Sequence, residues 1–140
     1  MKSYKQEMVG NIDFRAGGGP FAGSGRSDNI AALFEGFLNF PSGGASTEVC
    51  IVSDDGSKLY INGNKQIDND GLHGDVRKCK SFALSGPQKV TIEFFERTGG
   101  ATMVVEWRLS GSSRTVVPAS AWVEAGVSAM GIDCSEGLGW

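Results

Sequence analysis

The sequence predicts an all-β fold, a sandwich or barrel of short strands, on three observations. Apolar and polar residues alternate over short runs such as Lys89 to Phe95 and Ala101 to Leu109, the period of a half-buried strand. Glycine makes up 21 of 140 residues, about twice the usual share of ~7%, which suits many tight turns. Turn signals recur at short spacing with no convincing amphipathic helix between them. The 40% apolar content, patterned as it is, argues against disorder, and 140 residues suffice to close one core. A single domain over 1–140 is therefore expected.

The elements follow in order. Residues 1–29 are polar and glycine-rich, with loops at Gly17-Gly18-Gly19-Pro20 and Gly23-Ser24-Gly25 and a first short strand through Ile12 and Phe14. Ile30 to Phe40 is apolar almost throughout. Its aromatics at 34, 37 and 40 have a helical spacing, but Gly36 and the stop Pro41-Ser42-Gly43-Gly44 favour a buried strand. Thr47 to Val52 is a strand, and after an Asp-Asp-Gly corner Lys58 to Asn62 is expected to be its partner. Asn62-Gly63 signals a type I′ turn into a third short strand at Lys65 to Ile67. Ser81 to Leu84 is a further strand, ended by Ser85-Gly86-Pro87. Lys89 to Phe95 and Ala101 to Leu109 are expected to form a hairpin through Thr98-Gly99-Gly100. Val116 to Val123 closes the core with Trp122 as anchor, and Ala125 to Trp140 carries little pattern.

The net charge of −3 and the pI near 5.1 give no basic footprint, which argues against nucleic acid as a partner. No stretch approaches the ~20 apolar residues of a membrane span. Met1 to Gly10 is polar and charged and has no apolar core, so no signal peptide is read there. That suits a cytosolic protein or a domain cut from a larger secreted chain. The cysteines, Cys50, Cys79 and Cys134, lack the C-x-x-C spacing of zinc or redox motifs. Cys50 and Cys79 both fall in strand-like runs, which leaves two alternatives: a Cys50–Cys79 disulfide in an oxidising compartment, or unpaired, partly buried thiols.

Chemistry concentrates at Ser53-Asp54-Asp55-Gly56. Two neighbouring carboxylates repel each other, and a hard cation with six to eight oxygen ligands is the commonest reason to hold them together. The alternative is a turn, for which Asp-Gly is a strong signal. Asp68-Asn69-Asp70-Gly71 resembles the middle of an EF-hand loop, but Arg77 stands where the bidentate glutamate is required. That segment is read as a turn with Gly71 at positive φ. Enzymatic signals are thin: His73 is the sole histidine, and neither G-x-S-x-G nor a phosphate-binding G-x-x-x-x-G-K-[ST] is present. The acids cluster near one corner, a better geometry for a metal than for a glycosidase acid/base pair.

Taken together, several motifs resemble the PA14 domain, an antiparallel β-sandwich module of toxins, glycosidases and adhesins. The matching pieces are Phe34-Glu35-Gly36-Phe37-Leu38, Ser53 to Gly63, Ile67 to Gly74 and Ile92-Glu93-Phe94-Phe95-Glu96. Gly99-Gly100-Ala101 leading to Val105-Glu106-Trp107, then Val117-Pro118-Ala119-Ser120, completes the order over about 30–123, with arms on either side. The resemblance implies that Asp54 and Asp55 are joined by a cis peptide and bind one Ca2+ that also holds vicinal hydroxyls of a sugar. It further implies Glu96 as a carboxylate ligand and Thr98 and Gly100 as carbonyl ligands, with Arg97 beside them as a sugar contact. His73 is given a packing or hydrogen-bonding role.

The function this implies is a non-enzymatic, calcium-dependent carbohydrate-binding module of an extracellular or cell-surface protein, with a glycan as partner. One alternative is a structural module of a surface structure or filament that self-assembles through its terminal arms and the tail ending in Trp140. Another is an appendage shaping the substrate cleft of a larger glycosidase.

Overall fold

The computed structural model describes residues 2–16, 30–43, 46–97, 101–123 and 126–133. Its strands are β1 (Lys2–Val9), β2 (Asp13–Ala16), β3 (Ile30–Phe40), β4 (Thr47–Asp54), β5 (Gly56–Ile61) and β6 (Asn64–Asn69). They continue with β7 (Val76–Phe82), β8 (Gly86–Glu96), β9 (Ala101–Leu109), β10 (Thr115–Val116) and β11 (Val127–Asp133), and a 3-10 turn at Ala119–Ala121 precedes β11. Six strands form one sheet in the order β1-β11-β3-β8-β5-β6. The other sheet has the order β10-β9-β4-β7, with β2 also paired to β9. β2 lies against residues 101–104 of β9 and β10 against residues 106–107. Every pairing is antiparallel.

The core is what alternation on the two inner faces produces. Phe34, Leu38 and Phe40 of β3, Leu59 and Ile61 of β5, and Ile92 and Phe94 of β8 are buried from one sheet. Val49 and Ile51 of β4 and Met103 and Val105 of β9 meet them from the other. The stop after Phe40 holds, so the helical spacing of the aromatics in β3 is incidental: Phe34 and Phe40 face inward while Phe37 is exposed. Trp122 is buried and bridges to Leu38, closing one end of the core.

Two expected pairings are overturned. β5 is not the partner of β4; it lies in the six-stranded sheet between β8 and β6. Nor do β8 and β9 form a hairpin, since β8 pairs β3 and β5 while β9 pairs β4. The reason is that alternation fixes which face of a strand is apolar but not which sheet the strand joins. In both places the chain crosses from one sheet to the other, so that consecutive strands turn their apolar faces toward each other. The expected I′ hairpin between β5 and β6 is present, with Asn62 at φ 51° and Gly63 at φ 85°.

The segments expected as flanking arms also differ. Lys2–Val9 pairs with Val127–Asp133, and the latter pairs with β3, so both extend the six-stranded sheet of the same chain. The glycine-rich stretch 17–29, Cys134 and Trp140 lie outside the described residues.

Candidate metal and ligand site

Among the connections with described residues, register places three crossovers between the sheets at one end of the sandwich, where β2 also ends and β3 begins. Ser53 of β4 is paired with Val76 of β7 and with Met103 of β9. Ser57 of β5 is paired with Asn69 of β6 and with Phe94 of β8. The connections β4 to β5, β6 to β7 and β8 to β9 therefore leave the same edge of the core. They bring together residues 54–56, residues 70–75 and Arg97, which are remote in sequence.

The first crossover is the Asp-Asp-Gly corner. The peptide bond between Asp54 and Asp55 is cis. Asp55 is only 7% exposed, and its Oδ2 accepts the Arg97 backbone N–H at 3.1 Å. That bond ties the first crossover to the third. Gly56 pairs with Phe95, so continuing the register sets Asp55 opposite Glu96. Glu96 is 0% exposed, and a carboxylate at that depth is costly unless it is compensated. Asp54 is pushed up to about 6 by burial, by the side chain of Asp55 within hydrogen-bonding reach, and by the charges of Asp55 and Asp75, with His73 opposing. Two acids so close cannot both ionise cheaply; they share a proton or share a cation.

Beneath the corner lies a polar brace that the sequence reading did not assign. Ser53 and Ser57 are buried, and their hydroxyls meet across the gap between the sheets at 2.6 Å. Asn69, also buried, donates from Nδ2 to Ser53 Oγ at 3.2 Å and to the Val76 carbonyl at 2.8 Å. The corner is thus fastened to both neighbouring crossovers by groups whose hydrogen bonds are shielded from water. The only sequence signal for this was the placement of Ser53 and Ser57 on inward positions of otherwise apolar strands.

The second crossover, residues 70–75, is equally fixed. The Asp70 N–H donates to Asp68 Oδ1 at 3.1 Å and Gly71 has φ 119°, the turn read from the sequence. His73 places Nε2 2.9 Å from the Asn69 carbonyl and Nδ1 2.8 Å from the Gly74 carbonyl. Carbonyls only accept, so a neutral ring makes one of these bonds and the doubly protonated ring makes both. Gly56 lets this loop approach: a Cβ there would stand 2.8 Å from both Asp70 Oδ1 and the Gly71 nitrogen.

Of the residues named from sequence, Asp54, Asp55, Glu96 and Arg97 are brought to this one end. The Arg97 backbone takes part, while its side chain is exposed. Thr98 and Gly100 lie outside the described residues. His73 anchors a loop by hydrogen bonds. Cys50 and Cys79 are directly paired in register and joined by a disulfide on the outer face of the other sheet, away from the corner.

A family model described as PA14 domain matches residues 10–121. Among solved structures, a PA14 sugar-binding domain from an RTX adhesin matches with a TM-score of 0.67 at 19% identity, covering 84% of this chain and 77% of that one. The PA14 domain of the antifreeze protein MpAFP gives a TM-score of 0.60 at 14% identity, covering 86% and 69%. An anti-sigma factor domain-containing protein from Clostridium clariflavum gives 0.73 at 21% identity, covering 83% of this chain and 40% of that one. The chain thus spans about two-fifths of the length of the anti-sigma factor proteins it resembles. Comparison with curated proteins finds no match. At such identities the structural likeness speaks for the fold alone. The family match begins some twenty residues before the resemblance read from sequence, and the fold explains why. Ile12 is buried, its carbonyl accepts the Val105 N–H at 3.0 Å, and β2 pairs with β9.

Proposed function

Because the chain belongs to the PA14 domain family, we propose that it is a calcium-dependent carbohydrate-binding module of an extracellular or cell-surface protein, without catalytic activity. The observation that carries this reading is the Asp54–Asp55 pair at an inter-sheet crossover, hydrogen-bonded to the residue after Glu96. It gathers carboxylates from two strands at one end of the sandwich, and all of them are hard oxygen donors of the kind calcium takes.

The donor set fits the ion. Asp54 and Asp55 would be the primary ligands, since a cation satisfies the same pair that otherwise retains a proton near pH 6. Glu96 would add a third carboxylate, with the backbone carbonyls of Thr98 and Gly100 from the same crossover. Five such donors leave room for two vicinal hydroxyls of a sugar within the usual coordination number. The protein's own contribution would be rigidity: the Ser53, Ser57, Asn69 brace and the Arg97 N–H tie together the strand ends that carry the acids. The sugar-binding relative from the RTX adhesin supports a glycan as partner.

A glycan array probed in calcium and again in EDTA tests the reading, with Asp54→Ala as control. Binding to a subset of glycans that EDTA and the substitution both abolish is expected. Glycan binding that survives EDTA would contradict the calcium dependence, and no binding in either buffer would favour a module of protein assembly instead.

A further inference from the structure

Two of the crossovers carry the proposed calcium ligands; the crossover at 70–75 carries none of them, yet it is firmly pinned. Its Gly71 backbone occupies the space beside Gly56, and His73 and Asn69 lock its ends. From this loop Leu72 stands 63% exposed, more than Met8 at 54% or Phe37 at 45%, the other large apolar side chains exposed among the described residues. A single exposed leucine on a loose tip is unremarkable. Here the loop backbone next to Leu72 abuts the Asp-Asp-Gly corner at Gly56 and is held by hydrogen bonds, so the exposed leucine belongs to a fixed loop adjoining the acids.

We propose that Leu72 is a specificity-determining residue: it forms the apolar wall of the saccharide site, and the module selects neutral saccharides that present a C–H face or methyl group next to the diol. This rests on the calcium-dependent reading above. Acids outnumber cations at this rim, Asp54, Asp55, Asp70 and Asp75 against Lys58 (3.7 Å from Asp70) and the exposed Arg97, which counts against anionic sugars. An apolar wall rewards a missing hydroxyl. A methyl packed against leucine gains, whereas a hydroxymethyl must give up hydration to pack there.

The test uses the whole chain and three probes in calcium: a methyl hexoside, the 6-deoxy form of the same glycoside, and the corresponding methyl hexuronoside. Kd values for the native chain and for Leu72→Ala are compared, with the calcium-induced rise in Tm recorded for each. The native chain is expected to favour the deoxy probe over the hexoside about fourfold, the weight of one buried methyl(ene), and to bind the uronoside most weakly. In Leu72→Ala the preference for the deoxy probe should fall to near one. Leu72→Ile, which keeps the apolar volume, should retain most of it. An unchanged ratio in Leu72→Ala, or a uronoside bound as tightly as the hexoside, would overturn the proposal while leaving the calcium site standing. A native chain with no calcium-induced rise would overturn both.

Discussion

Three residues at the corner yield separate expectations. Asp54 holds its proton up to about pH 6 in the metal-free fold, against an ordinary value of 3.8. The folded state therefore binds a proton that the unfolded chain releases, so this group's contribution to stability is full below about pH 4 and is lost as pH rises through about 6. In EDTA, Tm is expected to fall over that window and the fall to be smaller in Asp54→Asn; a metal-free Tm with the same pH profile in both proteins would contradict it. Asn69→Ala removes the donor to Ser53 and to the Val76 carbonyl, and leaving such buried acceptors unmet costs about 1–3 kcal/mol. Urea denaturation reads that loss. Gly56→Ala drives a methyl against backbone at 2.8 Å. Overpacking of that kind costs roughly 1–3 kcal/mol, and because the intruded loop abuts the corner, the calcium response should weaken as well.

At the scale of elements, the disulfide between Cys50 and Cys79 fastens β7 to β4 at an interior register position, with the cysteines 29 residues apart in sequence. Removing such a cross-link is expected to cost about 2–4 kcal/mol, measurable as a lower urea midpoint in Cys50→Ala/Cys79→Ala or under dithiothreitol. A midpoint unmoved by reductant would mean that the bond carries no weight. The strands themselves were largely legible: β3, β4, β6, β8 and β9 follow from alternation and the Asn62-Gly63 turn. Their partners were not. Asp54-Asp55-Gly56 and Thr98-Gly99-Gly100 look like hairpin turns because glycine and aspartate signal any sharp reversal, including one that changes sheets. β1 escaped because Lys-Ser-Tyr-Lys-Gln-Glu-Met-Val has few apolar residues to alternate, as an edge strand can. β11 escaped because Val-Ser-Ala-Met-Gly-Ile-Asp mixes small residues into a short run. At the site, Asp54 and Asp55 could be singled out from the sequence itself, as adjacent carboxylates at a strand end, whereas Glu96 and Arg97 came only through the family resemblance. The hydroxyl and amide brace beneath them became visible once the crossovers set Ser53, Ser57 and Asn69 together.

For the molecule as a whole, the sandwich works as a frame that brings three crossovers to one end. The six-stranded sheet is completed by strands from both ends of the chain, β1 and β11, and the register row Glu96, Ile30, Asp133, Lys2 sets the outer ends of those two strands at the same end as the acids. On the proposed reading, affinity for a glycan-bearing surface would be raised by several copies acting together. All of this depends on the corner taking up calcium. The most direct measurement is a thermal melt of the native chain and of Asp54→Ala, in EDTA and across a calcium titration. Calcium at 100 times its Kd stabilises a fold by about 2.7 kcal/mol, so Tm of the native chain should rise by several degrees while that of Asp54→Ala stays put. Equal Tm values with and without calcium in the native chain would contradict the account and leave the acidic corner as a turn.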